Sequence, residues 1–398
     1  MEYINISQTL NPSQQHIINQ SAIFHYLREN GPTYRANIAR NLDLSLPAVG
    51  RALDALLNRG FVEIKEHKRN DRTRAVPYFQ ATLMEHVIVS IDLFKGIIAA
   101  FDIEKMATPY YFKLPLKEPL IDELSEVIEY YFSRILKKNI QMMKSLCICS
   151  PGIVDVKKGQ VIRATYHPYL ENIPIRDQLL DRYQCVVFIT NAENAAVFNS
   201  YWEFEKKHRN IVSFGIGLEA GAGLIIGGLI YYGENYMAGE TEFFIDDIEH
   251  PENKYKTSCS FRKLCADVVF SKEGNHLDIL EIGEEFCLRT ISTIFTSAYK
   301  NESAACKVID SFVCRIALLL NKIDALLNPS IIVIGGDICQ MPYSEEVFLS
   351  RLKERYNPLR ISNVEICYSR HGPLVNLQGG GLIALENYLC EQFPYMIR

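Results

Sequence analysis

Near the start of the chain, Ser45, Leu46, Pro47, Gly50 and Arg51 fall on what reads as one short helix, and Lys68, Arg69, Arg72 and Arg74 fall in one charged loop. These are groups suited to reading duplex nucleic acid. A guanidinium donates two parallel hydrogen bonds to a guanine edge, a hydroxyl serves base or phosphate, and an apolar side chain meets a thymine methyl. Loop lysines and arginines reach phosphates or the adjacent minor groove, a contribution that weakens as salt rises. Gly50 weakens a helix by up to about 1 kcal/mol but leaves room for close backbone approach. A basic loop alone equally describes a solvated turn, so the assignment rests on the elements that carry these residues.

Those elements are regular. From Thr33 to Arg59 the chain reads as two short helices joined by a tight turn. Ile38, Ala39 and Leu42 share one face of the first, and Val49, Leu53 and Leu56 one face of the second, at spacings of three and four. Ser45 is placed to cap the second helix, and Pro47 falls in its first turn, where a missing N–H costs little. That is a helix-turn-helix, whose second helix enters the major groove by its N-terminal end; the plain alternative is an αα-hairpin in a helical core. The spacing predicts a preceding amphipathic helix over residues 13–30, with Ile17, Ile18, Ile23, Phe24 and Leu27 inward. Strands at 61–65 and 76–79 flank the charged loop. Three helices, a strand, a basic loop and a strand make the order of a winged helix.

Charge supports the division. Residues 1–86 carry a net +2 while the whole chain carries −5, a mildly basic head on an acidic body. The 48% hydrophobic content suffices for packed cores in two or three domains. Eleven cysteines, an odd number, argue against a full disulfide framework. No cationic and apolar leader opens the sequence and no run of 18 apolar residues occurs, so the expectation is a cytoplasmic protein with reduced thiols and no membrane span.

From His86 onward the texture becomes α/β. HVIVSIDL and GIIAAFDI read as a hairpin, 120–143 as a helix, 145–150 and 185–190 as buried strands, and 174–183 as a helix. A second strand set starts at Ile211, helices dominate 261–326, a strand at 331–336 runs into a glycine turn, and 377–389 is a closing helix. Strands alternating with helices through two lobes define the class. The expected division is a winged helix-turn-helix over 1–82, one lobe over 83–200 joined by the C-terminal helix 377–398, and a second lobe over 201–376.

Several stretches carry a family resemblance: ICSPGIVD (148–155), NAENAA (191–196), GAGLIIGGLIYYG (221–233), AGE (238–240), LLNPSIIVIGG (326–336) and LQGGG (377–381). With the winged helix in front, the chain resembles the ROK family, which groups sugar-responsive repressors with sugar kinases on one actin/hexokinase-like (ribonuclease H-like) fold. The fused head points to the repressor branch. The resemblance implies two lobes closing on a sugar, and dimers or larger assemblies.

The same resemblance shows what kinase chemistry has been lost. The family's phosphate turn matches Asp92-Leu93-Phe94-Lys95-Gly96, where Phe94 stands at a position that needs a bare backbone. The family's general base matches Ala192, whose methyl group cannot accept a proton, and losing such a base costs about 10²- to 10⁴-fold. Glu193 is one residue away and points elsewhere. Of the family's zinc knuckle only Cys259 and Cys265 remain, too few for a four-ligand site. Asn191, Glu240 and Asp267 are the remaining candidates for gripping polar hydroxyls. The reading is a DNA-binding regulator, a repressor of carbohydrate genes, with no catalytic residue, metal or cofactor. Its expected partners are a duplex operator, a sugar or sugar-derivative effector and a second copy of itself. The rivals are an active sugar kinase using Glu193 as base, and a regulator held by a protein partner.

Overall fold

The computed structural model describes residues 12–67, 76–83, 86–103, 106–114, 116, 118–241, 259–273, 282–357 and 363–393. The head comprises helices α1 (Pro12–Asn30), α2 (Arg35–Asn41) and α3 (Leu46–Asn58) and strands β1 (Val62–His67) and β2 (Val76–Ala81). β1 and β2 pair antiparallel, with Val62 opposite Ala81, and a bridge from Thr33 to Phe79 lends a third short edge. Ile38 and Ala39 of α2 and Val49, Leu53 and Leu56 of α3 are buried as their spacing predicts. In α1 the inward face differs from expectation. Ile23, Phe24 and Leu27 are buried, but Ile17 and Ile18 are only half-buried, and Asn19, Gln20 and Ser21 go inside. The polar residues are tolerated because Gln20 accepts a hydrogen bond from Arg59 at 2.8 Å.

The first lobe holds β3 (Val87–Asp92), β4 (Ile97–Phe101), β5 (Tyr110–Tyr111), helix α4 (Leu120–Tyr130) and β6 (Met143–Ser150). It continues with a small hairpin of β7 (Ile153–Asp155) and β8 (Gln160–Arg163), then α5 (Ile175–Tyr183) and β9 (Val186–Asn191). The helix expected over 120–143 is shorter. It ends at Tyr130, loosens into a π turn to Leu136, and stops where Lys137 adopts a left-handed φ of 53°. Helix α6 (Ala192–Glu203) crosses to the second lobe, which holds β10 (Ile211–Ile216), β11 (Ala220–Ile226), β12 (Leu229–Ile230), α7 (Phe261–Glu273), α8 (Glu284–Tyr299), α9 (Ser303–Leu327), β13 (Ile331–Gly335), α10 (Ser350–Tyr356) and β14 (Glu365–Tyr368). Helix α11 (Val375–Gln392) returns to the first lobe.

The two sheets share one topology, β5-β4-β3-β6-β9 and β12-β11-β10-β13-β14. In each, the first two strands form an antiparallel hairpin and the next two join in parallel on the other side. Helices cover both faces, which is why β3, β4, β10 and β13 are buried at every residue and read as apolar runs rather than alternating ones. One apolar cluster runs unbroken from the head (Phe24, Leu53, Phe61) into the first lobe (Ile88, Cys147), α11 (Ala384, Leu389) and Phe393 just after it. No helix among the described residues is long and apolar enough to cross a membrane.

Candidate functional site

The exposed end of α3 forms one surface of interest. Ser45 caps the helix, its Oγ accepting from the Ala48 N–H at 3.3 Å. Ser45, Leu46, Pro47 and Arg51 are all exposed, Leu46 at 52%. Gly50 is not: it is buried, and a Cβ there would lie 1.9 Å from Nη2 of Arg35. The guanidinium of Arg35 lies over that glycine and donates to the Leu46 carbonyl from Nε at 3.2 Å and Nη2 at 2.6 Å. Gly50 therefore makes room for an arginine from α2 rather than for a DNA backbone. Arg35, itself exposed, adds a fixed positive charge beside the N-terminus of α3, where the helix dipole is also positive. Sequence reasoning missed it because Arg35 and Gly50 meet only once the two helices cross. Lys68, Arg69, Arg72 and Arg74 lie outside the described residues.

The second candidate is the cleft between the lobes, an open space of about 730 Å³ including solvent at its mouth. Asn191, Ala192, Glu193 and Glu240 converge on it. Asn191 ends β9 and caps α6: its Oδ1 accepts from the N–H of Glu193 at 2.7 Å and of Asn194 at 3.4 Å. Its Nδ2 donates to the Gly152 carbonyl at 2.6 Å and to Glu240 Oε1 at 3.4 Å. One side chain thus sets the helix start and holds the glutamate. Ala192 presents a methyl group to the cleft and is 7% exposed. Asp267 is not brought to this place. It lies on α7, bound to Lys263 at 3.0 Å and Arg315 at 3.1 Å, and does not line the cleft.

Two glycine-bearing stretches near the cleft, the turn after β3 and the end of β10, are each met by a buried carboxyl. Asp92 is fully buried at the end of β3, and its Oδ1 accepts from the N–H groups of Phe94 at 2.8 Å and Lys95 at 3.2 Å. Burial raises its pKa, against the opposing pull of Lys95 and those N–H groups. Phe94 stands edge-on to His167 with centroids 6.2 Å apart, and Lys95 Nζ forms an ion pair with Asp337 Oδ1 across the cleft. In the second lobe, the Glu193 carboxyl lies against Gly215, where a Cβ would sit 2.2 Å from Oε1, and accepts the Gly215 N–H. Burial first, then the nearby charges of Glu240 and Asp92, push Glu193 up to about 8. At neutral pH its protonated form is therefore favoured. The Lys95–Asp337 pair, 242 positions apart, left no mark in the local sequence.

Cys259 and Cys265 are both buried in the core of the second lobe, and Cys265 hydrogen-bonds to the Cys287 thiol. Among the described residues, no group of three or more His, Cys, Asp or Glu side chains is arranged to hold a metal ion.

One strand order used twice, with a cleft between the copies and a three-helix head with a two-stranded wing in front, defines a winged-helix head on an actin/hexokinase-like body. The chain belongs to the ROK family, whose model matches residues 105–385. It is 23% identical over 381 residues to the xylose repressor of Bacillus spizizenii, spanning 94% of this chain and 96% of that protein. It is 24% identical over 362 residues to the DNA-binding transcriptional dual regulator NagC of Escherichia coli, spanning 85% and 84%. The crystal structure of a ROK family transcriptional regulator, a homolog of the E. coli MLC protein, matches with a TM-score of 0.72 at 17% identity, over 96% of this chain and 99% of that one. At that identity the likeness is one of fold.

Proposed function

We propose that this protein is a DNA-binding transcriptional regulator, a repressor of carbohydrate genes, whose body binds a sugar or sugar derivative without phosphorylating it. The observation that carries this reading is the pairing of an exposed Ser45–Arg51 helix end with a cleft whose base position is Ala192. The curated relatives that span most of the chain are named as repressors or transcriptional regulators, which supports it. A dimer would set two α3 helices on half-sites about 34 Å apart, or a multiple of that distance. Asn191 and Glu240, already hydrogen-bonded to each other, are the groups that would meet ligand hydroxyls. To control DNA binding, the ligand must prefer one lobe arrangement by a few kcal/mol. Selection of bound duplexes from a random pool tests the reading: a two-fold symmetric motif is expected, and failure to enrich any duplex would sink it. A coupled ATP assay against a sugar panel tests the other half. Turnover abolished by Glu193→Gln would restore the kinase.

A further inference from the structure

Two helices run from the cleft to the head, and each belongs to a different lobe. α6 begins at the cleft with Asn191, Ala192 and Glu193, and packs Val197, Tyr201 and Phe204 on the second-lobe strands through Ile211, Ile225 and Ile331. α11 begins at the cleft with Val375 and Asn376, and packs Leu377 and Ala384 on the first lobe through Ile88, Cys147 and Cys149. The two helices touch near their cleft ends, where a Cβ on Gly379 would lie 1.8 Å from the Ala195 carbonyl oxygen. Their other ends reach the head, roughly 10 Å beyond that crossing at the α-helical rise per residue.

Both far ends are held by one residue of the head. Arg28 of α1 forms an ion pair with Glu386 of α11 at 2.6 Å, and its guanidinium stands 5.0 Å from the ring centroid of Trp202 on α6. Its side chain is 10% exposed, so neither contact is the solvent-screened kind that contributes little. Arg59, which ends the recognition helix α3, is tied to the same region: it donates to Gln392 Oε1 at 3.1 Å and stands over the Phe393 ring. α6 and α11 lie packed side by side, most closely at Gly379 and Ala195. A turn of one lobe against the other would shift one helix along the other, and Arg28, which touches both, could not keep its contacts with Glu386 and Trp202 unchanged.

We infer that Arg28 is the residue through which the head senses the relative position of the two lobes. It grips α11 by charge and α6 by its ring, so lobe movement at the cleft changes how α1, and with it α3, is held. This rests on the regulatory reading above and names the contact by which the cleft would act.

The test needs no identified effector. Lys95→Met removes the ion pair with Asp337 that spans the cleft and does not touch the Arg28 contacts themselves. Affinity for the duplex enriched from the random pool is measured for the wild type, Lys95→Met, Arg28→Gln and the double variant, with emission of the sole tryptophan, Trp202, recorded for wild type and Lys95→Met. The expected result is a change of about tenfold in affinity from Lys95→Met that falls below about twofold in the Arg28→Gln background, with a shift in Trp202 emission. Equal fold-changes in both backgrounds overturn the inference, as does an unmoved Trp202 signal. Glu386→Gln replaces Arg28→Gln if the latter does not fold. A wild type that binds no duplex refutes the regulatory reading, and Trp202 emission then decides the joint by itself.

Discussion

The two lobes repeat one strand order, yet they achieve close helix-on-sheet contact in opposite ways. In the first lobe the glycines are on the helix: a Cβ on Gly380 of α11 would lie 2.3 Å from Ser90 Oγ and 2.5 Å from Cys149 Sγ. Its strand pair there is Ser90 opposite Ala99. In the second lobe the glycines are on the strands: Ser213 lies opposite Gly223, and a Cβ on Gly223 would lie 2.0 Å from the Glu193 carbonyl oxygen of α6. The buried carboxyls differ in the same sense. Asp92 accepts from the turn that follows its own strand, whereas Glu193 reaches Gly215 of β10 from the facing helix. Topology therefore fixes where two chains must approach, but not which of them gives up its side chain.

The comparison can be broken first through pH. Glu193 has an ordinary pKa of 4.5 that rises to about 8 in the folded chain, so the folded state binds its proton more tightly. The stability this contributes is full below about 4.5 and is lost as pH rises through 8. Wild type should lose stability relative to Glu193→Gln across that window, by an amount on the order of a few kcal/mol. Denaturant midpoints of both proteins at pH 5 and pH 9 give the answer, and parallel pH profiles would contradict it.

A smaller effect sharpens the helix–strand exchange. Gly223→Ala should destabilise by about 1–3 kcal/mol, because its methyl meets a backbone oxygen that cannot swing aside. Chemical unfolding measures this, and a cost below about 0.5 kcal/mol would mean that α6 can lift off the sheet. The smallest effect is the reverse change in the first lobe. Ala99→Gly should cost about 1 kcal/mol or less, from lost strand rigidity and one buried methyl. If the two substitutions prove equally costly, the lobes do not differ as described.

Much of this was legible beforehand because it is local. The helix-turn-helix follows from apolar spacing at 38, 39, 42, 49, 53 and 56, and Ser45 caps as its type suggests. The buried strands announced themselves as unbroken apolar runs. What failed was non-local or marginal. Gly50 was read as an opening for DNA because Arg35 belongs to another helix, and Asp267 was read as a ligand contact although Lys263 and Arg315 hold it elsewhere. The long helix at 120–143 ended early because apolar periodicity does not register where a chain turns left-handed at Lys137.

The sequence by itself determined the winged head and the α/β body, since each depends on residue type at a fixed local position. Only the tertiary structure decided that Lys95 meets Asp337, that the Glu193 carboxyl lies against Gly215, and that Arg28 holds Trp202 and Glu386 together. Those contacts join residues far apart along the chain. Their partners are chosen by how the sheets and helices pack, which no single stretch encodes.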